Sequence, residues 1–313
     1  MPILISGSIA YDYIMDFPDS FRNHILPEQA HILSVSFVIP ELKKEFGGTG
    51  GNIAYTMRLL GGDPILLGAL GNDGTEYIEY FEKQGIGTRY ITRSLDRITA
   101  SAYITTDKED NQISAFYVGP GHEALQLNVA DVKETLELAI ISANNKEVMI
   151  QHAKQCNEAN IPLVFDPGQH LTAFSAQELM LLIGQSNFLI ANDYEMKLIT
   201  EKTGWGAEDL LQHVNVLITT HGEKGSVIRT KDELFEAKPC PPTSVEDPTG
   251  AGDAYRAGFF TAYTKGLGLQ TCGQVGSVAA TYAVEHYGTQ NHRFTLTEFK
   301  KRYEDTYKKS ITL

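Results

Sequence analysis

Asp247-Pro248-Thr249-Gly250-Ala251-Gly252-Asp253 leads without a break into Ala254-Tyr255-Arg256-Ala257-Gly258-Phe259-Phe260. The first half reads as a tight loop, because two glycines let the backbone turn and leave no Cβ between it and a ligand. The second half reads as a buried helix. Ala254, Ala257, Gly258 and Thr261 recur at i, i+3, i+4 and i+7, a thin face suited to close packing. A helix opening after such a loop offers unpaired N–H groups and the positive end of its dipole, which together make an anion site. Asp253 stands at that same end. As a helix cap it would be ordinary. Beside a bound anion, its carboxylate can accept the proton of a nucleophile attacking that anion, which is the layout phosphoryl transfer requires.

A second stretch changes the weighing between cap and base. Gly47-Gly48-Thr49-Gly50-Gly51-Asn52 precedes a helix with Ile53, Met57 and Leu60 on one face, ended by Gly61-Gly62. Alone, a glycine-rich turn before a helix often serves only packing. Together the two stretches resemble the signatures of the ribokinase-like (PfkB-type) family of sugar and nucleoside kinases, nearly end to end. The likeness is nearest to the bacterial adenosine kinases. It is carried by Ser6-Gly7-Ser8-Ile9-Ala10-x-Asp12, Leu26-Pro27-Glu28, Ser34-Val35-Ser36-Phe37, Asn192-Asp193-Tyr194-Glu195, Lys202-Thr203-Gly204-Trp205 and Asp253-Ala254-Tyr255-Arg256-Ala257-Gly258-Phe259. Two positions depart from those enzymes: Ala102 stands where they offer an aromatic, and Ala173 where they offer an arginine.

Composition is compatible with this and excludes other classes. At 313 residues the chain can bury a large core, and it is expected to be a single domain over 1–313. A net charge of -13 argues against nucleic acid or an anionic membrane as partner. Cys156, Cys240 and Cys272 form no Cys-x-x-Cys pair, which suggests reduced thiols and a cytoplasmic protein. The start lacks a basic region ahead of its apolar run, so no signal peptide is expected, and no stretch approaches the ~18 apolar residues of a membrane span. No Gly-x-x-x-x-Gly-Lys-Ser/Thr loop occurs, so a P-loop kinase is excluded.

Along the chain, Ile3–Ile9 reads as a buried first strand, with Asp12 in the loop just past its carboxyl end, where ligands gather in open parallel sheets. Ser34–Pro40 alternates like a half-exposed strand, and Ala100–Thr106 and Ile113–Val118 flank a turn at Asp107–Asn111. These predict a small β lid formed by about 13–46 and 97–120, able to close over substrate and exclude water. Its exposed strands predict a homodimer through the lid. Phe37, Tyr103, Phe116 and Tyr117 either stack on a flat base or fill the lid core. From residue 128 onward the pattern alternates: a helix at 130–140, a strand at 147–150, a helix through Cys156, a strand at 161–167, a helix at 175–185 and a strand at 187–191. The fold class is therefore α/β, with a mostly parallel sheet covered by helices. A strand at 216–220, a hairpin across Lys231-Asp232 and three C-terminal helices complete the pattern.

The resemblance implies a three-layer α/β/α ribokinase-like core and transfer of the ATP γ-phosphoryl group to the 5′-hydroxyl of adenosine. It implies Asp253 as general base, with the amides of Gly250, Ala251 and Gly252 as an anion hole. It implies Ser8, Asp12, Ser36, Gly47, Gly48, Asn52, Phe116, Gln169 and His170 at the nucleoside. At ATP it implies Asn192, Thr220, Gly222, Gly225, Arg256 and Gln290, with Asn192 and Glu195 organising Mg²⁺ through water. A broader nucleoside kinase, a ribokinase and a non-catalytic nucleoside or sugar binder are the other readings.

Overall fold

A computed structural model describes residues 2–25, 35–109 and 111–313. In chain order its elements begin with β1 (Pro2–Ser6), β2 (Ala10–Asp16), β3 (Leu42–Gly47), α1 (Thr49–Leu59), β4 (Asp63–Leu70), α2 (Thr75–Lys83), β5 (Ile91–Arg93), β6 (Ala100–Thr106) and β7 (Gln112–Tyr117). There follow β8 (Leu138–Ile141), α3 (Lys146–Glu158), β9 (Leu163–Phe165), α4 (Ala176–Gly184), β10 (Phe188–Asn192), α5 (Asp193–Thr203), α6 (Ala207–His213) and β11 (Val216–Thr220). The chain closes with β12 (Ser226–Arg229), β13 (Leu234–Ala237), α7 (Ala251–Thr264), α8 (Leu269–Val284) and α9 (Leu296–Tyr307).

Nine strands form the main sheet in the order β13-β12-β11-β10-β9-β8-β1-β4-β5. It is parallel from β5 to β11, and the β12–β13 hairpin adds two antiparallel strands at one edge. The parallel strands are buried without alternation, as strands covered on both faces must be. Ile3 and Ile5 enter one core with Met57, Phe259 and Val275, whereas Leu4 enters the other with Met149, Leu179 and Leu210. The result is the expected α/β/α layering. β1 pairs with β4 on one side and β8 on the other. The order of the strands thus reverses beside β1, and a crevice opens at their carboxyl ends. Helices α7 and α8 touch through backbone: a Cβ at Gly258 would lie 2.8 Å from the Val275 carbonyl, and one at Gly276 2.8 Å from that of Tyr255.

A second sheet, β3-β2-β6-β7, is separate from the first. Its β6–β7 hairpin pairs Thr106 with Gln112, the two residues between which the sequence predicts a turn. Elsewhere the pattern misleads. Residues 35–39 take no regular structure, and the strand expected at Ser34–Pro40 lies instead at Leu42–Gly47. Phe37 packs on Phe17 and Phe21 (ring centroids 4.7 and 5.1 Å), so the aromatic of that stretch serves a local cluster and not a strand. Ser34 and the Leu26-Pro27-Glu28 motif lie outside the described residues. Asp12 is inside β2, not in a loop. The helix expected at 130–140 is replaced by a short 3-10 turn at Val129–Asp131 and by β8, four buried residues in a row. The strand expected at 147–150 is the start of α3. Asn145 caps it, its side chain accepting from the Glu147 and Val148 amides, and that cap converts an apolar run into a helix.

Candidate active site

The loop before α7 ends at Gly250, whose φ of +77° admits a glycine without strain. A Cβ there would also press on Thr289 at 3.0 Å. Asp247 holds the loop from both sides, accepting from the Thr249 amide at 2.9 Å and the Gly288 amide at 3.1 Å. Among the described residues no acceptor pairs with the amides of Gly250, Gly252 or Asp253, and the Ala251 amide makes a long 3.3 Å bond to the Pro248 carbonyl. The helix start is therefore a cluster of free donors at the positive end of a fourteen-residue helix.

Asp253 is half-buried on the first turn. Its Oδ2 accepts from Asn52 Nδ2 at 2.8 Å, which binds it to α1. Burial pushes its carboxyl up to about 7, while Arg256 and the Asn52 bond pull the other way. Asp12, on β2, is also raised to about 7, by burial and by the Asp253 carboxylate. It lies against Gly47, where a Cβ would overlap its carboxyl group. Two carboxylates, one from the small sheet and one from the start of α7, thus lie within electrostatic reach of each other.

The carboxyl ends of the main strands supply the rest. Asp166, just after β9, accepts from Arg256 Nη2 at 2.6 Å and from Ser142 Oγ at 2.7 Å, deep in the protein. Arg256 is therefore an ion-pair partner first, with Nη1 beside Gly252. Asn192 and Glu195 cap α5 reciprocally: Glu195 N donates to Asn192 Oδ1 at 2.7 Å and Asn192 N to Glu195 Oε2 at 2.9 Å. Burial raises the Glu195 carboxyl above its ordinary value. Thr220 ends β11, and Gly222 and Gly225 follow at positive φ in an open turn.

A cavity of about 510 Å³ opens beside β1 and β8, lined among others by Ser8, Phe116, His122, Lys146, His170 and Ala173. Arg97, Asn144 and Glu147 also face it. Ser8 joins it to α1, accepting from the Thr49 amide at 3.1 Å. Lys202 donates to the carbonyls of Leu171, Thr172 and Phe174, which fixes the turn bearing His170. Burial lowers the His170 imidazole below its usual range, so it is neutral and able to both donate and accept.

The structure gathers Ser8, Phe116 and His170 at the cavity, and Asp12, Gly47, Gly48, Asn52 and Asp253 beside it. Ser36 and Gln169 are exposed and line no part of it. Gln290 is buried, its amide bonded to Asn52 and Tyr77. Tyr103 stacks on Tyr13 within the small sheet (5.0 Å, 7° between planes). Sequence reasoning missed Lys146 and Glu147, just before and within a stretch read as a strand, and gave Asp166 no role although it stands at a strand end.

Comparison with known proteins fits this geometry. Residues 19–295 match the model of the pfkB family carbohydrate kinases. A nucleoside kinase of Methanocaldococcus jannaschii is 35% identical over 300 residues, 95% of each chain. A structure of the Burkholderia thailandensis nucleoside kinase in complex with inosine superposes with a TM-score of 0.91 at 36% identity, over 98% of this chain and 99% of that one. The same enzyme in complex with ADP-inosine gives a TM-score of 0.88 at 37% identity, over 98% and 97% of the two chains. Matched by that family model over most of its length and by these relatives over nearly all of it, the chain belongs to the pfkB family of carbohydrate kinases and has the ribokinase-like fold.

Proposed function

We propose that this chain is an ATP-dependent nucleoside kinase, with Asp253 as general base for attack by a ribose 5′-hydroxyl on the γ-phosphorus. The observation that carries the reading is the Asp253 carboxylate, held by Asn52 at a helix start whose amides are free. The bond from the 5′-oxygen to the γ-phosphorus forms as the bond to the leaving β-phosphate oxygen breaks, and the hydroxyl proton passes to Asp253. The amides of Gly250, Gly252 and Asp253 meet charge building on the phosphoryl oxygens. Asp12 accepts from the ribose ring hydroxyls. The base lies in the cavity against Phe116, its polar edge towards His122, Lys146 and His170.

The donor set is compatible with Mg²⁺ carried in by the nucleotide. Among the described residues no group of three His, Cys, Asp or Glu side chains is arranged to cage a metal. Glu195 has one carboxyl oxygen left over from the capping box, enough to meet an ion through its water shell. When bound, the ion neutralises phosphate charge.

The acceptor range is broader than adenosine alone. Ala173 lines the cavity where the resembled adenosine kinases offer an arginine, and Ala102 pairs with Phe116 across β6 and β7 in place of their aromatic. Only shape, Phe116 and adaptable polar groups remain to select the base. The inosine held by the Burkholderia relative belongs to this range. Three buried free thiols accord with a reducing, cytoplasmic setting. No helix among the described residues is long and apolar enough to cross a membrane.

The test is ADP release with Mg·ATP and adenosine, inosine, guanosine, cytidine, ribose or fructose. Turnover of several nucleosides, with ribose far behind, is expected. Preference for a free sugar would move the acceptor class. Nucleoside affinity without ADP release from any acceptor would make the chain a binder.

A further inference from the structure

The side chain that holds Asp253 is itself held. Asn52 is almost wholly buried; its Oδ1 accepts from Gln290 Nε2 at 2.9 Å and lies 2.8 Å from Thr289 Oγ1, whose single proton the Phe46 carbonyl also contests. Gln290 Nε2 also donates to the Tyr77 hydroxyl at 2.6 Å, and Tyr77 in turn donates to the Gly47 carbonyl at 2.6 Å. Tyr77 is fully buried, and Gln290 and Thr289 nearly so.

With the Gly47 carbonyl paired, the donors and acceptors favour one arrangement. Gly47 offers a carbonyl, which can only accept, so the Tyr77 proton goes there and its oxygen faces Gln290 as an acceptor. Gln290 must present its NH₂ to both Tyr77 and Asn52. Turned over, it would set its carbonyl oxygen against the Tyr77 oxygen and Asn52 Oδ1, with an unpaired NH₂ on the far side. As it stands, the Gln290 Oε1 is the atom without a partner. That cost of burying an unpaired acceptor is accepted in exchange for a fixed direction at Asn52. With Oδ1 committed to Gln290, Asn52 has only its NH₂ to offer Asp253.

We propose that Gln290 is a positioning residue for the phosphoryl-transfer step: with Tyr77 it locks the Asn52 amide in the orientation that donates to Asp253. This rests on the function proposed above. Because the chain of bonds ends on Gly47, the last residue of β3, it also ties the aim of the base to the small sheet. The charged groups facing Asp253 are Arg256 on its own helix, Asp166 after β9, Glu195 on α5 and Asp12 on β2. None of them touches Gln290, so an uncharged substitution there acts on the base through Asn52.

The test uses Gln290→Glu and Gln290→Met, each read by thermal melting, by kcat and KM against pH, and by a carbon-13 NMR titration of the Asp253 carboxyl. Glu at 290 accepts from Asn52 and turns the amide over, so an oxygen faces Asp253. Its carboxyl then titrates about one unit higher, and the acidic limb of kcat/KM moves up with it. A fall in kcat of roughly 10–100-fold is expected, with the nucleoside KM little changed. Gln290→Met removes the lock without adding charge and gives a smaller shift in the same direction. Folded variants whose Asp253 titration and acidic limb stay where the parent has them overturn the proposal. Loss of folding in both also overturns it, since Gln290 would then be structural. A parent chain that phosphorylates no acceptor sinks the proposed function separately, and the NMR titration still reads the lock.

Discussion

Asp253 is a carboxylate placed where ionisation is unfavourable, and that has consequences for stability as well as for rate. Asp253 and Asp12 both rise from 3.8 to about 7 in the folded chain. Between those values the folded protein holds protons that the unfolded chain has released. Stability from these groups is therefore fully present below the unfolded value and is lost as pH rises through about 7. Asp253→Asn removes one of the two buried charges and keeps an acceptor for Asn52. We expect turnover to fall ~10²–10⁴-fold. We also expect the variant to melt above the parent at pH 8, with the gap closing towards pH 5. Calorimetry across that range checks the sign, and a variant that melts below the parent at pH 8 would refute burial as the cause of the raised carboxyl. For the proposed reaction, the same burial is expected to put the acidic limb of kcat/KM near 7, above the range of an exposed carboxylate, and a pH–rate profile checks it.

At the scale of elements, one capping box has two expected uses. Asn192 and Glu195 close the start of α5 on each other, and Glu195 is also the residue we propose to meet the nucleotide's ion through water. Glu195→Gln keeps the oxygen that accepts from the Asn192 amide, so helix and melting temperature should hold. The Mg²⁺ concentration for half-maximal rate should rise several-fold. An unchanged metal dependence would leave Glu195 as a cap alone. The same element shows why parts of the fold are legible in the sequence. Asn192, Thr220, Gly250 and Asp253 lie at strand ends or helix starts, where short-range pattern and local chemistry agree. Residues 130–150 mislead because β8 is only four residues long, and the apolar run after it is capped by Asn145 and packs as the buried face of a helix. Asp12 is hard to place in β2 because its neighbours alternate poorly, their burial being set by a second sheet that pairs residues far apart in the chain. The lock on Asn52 is invisible to sequence pattern: its members stand 213 to 238 positions apart.

At the scale of the whole molecule, the small sheet leaves β7 exposed along its full length. Ile113, Phe116 and Tyr117 on it, with Val118 just after, are all well exposed. We propose that a second copy of this chain covers that edge, since an antiparallel pairing of two β7 strands satisfies the same backbone groups on both sides. Light scattering behind size exclusion should give twice the chain mass for the parent, and Ile113→Lys should reduce it to one. A monomeric parent removes the dimer. Phe116 lies on this strand and lines the cavity, so Ile113→Lys should also raise the nucleoside KM.

The contact between Gly258 and Gly276 has a consequence for the history of the sequence. Where side chain meets side chain, a change on one helix can be answered by a change on the other, and a core drifts by such paired steps. Where backbone meets backbone there is no partner to change, because hydrogen is already the smallest group available. The helix that carries Asp253 is therefore anchored at a point from which no single substitution leads anywhere. Change in the surrounding core must be accommodated around that fixed point.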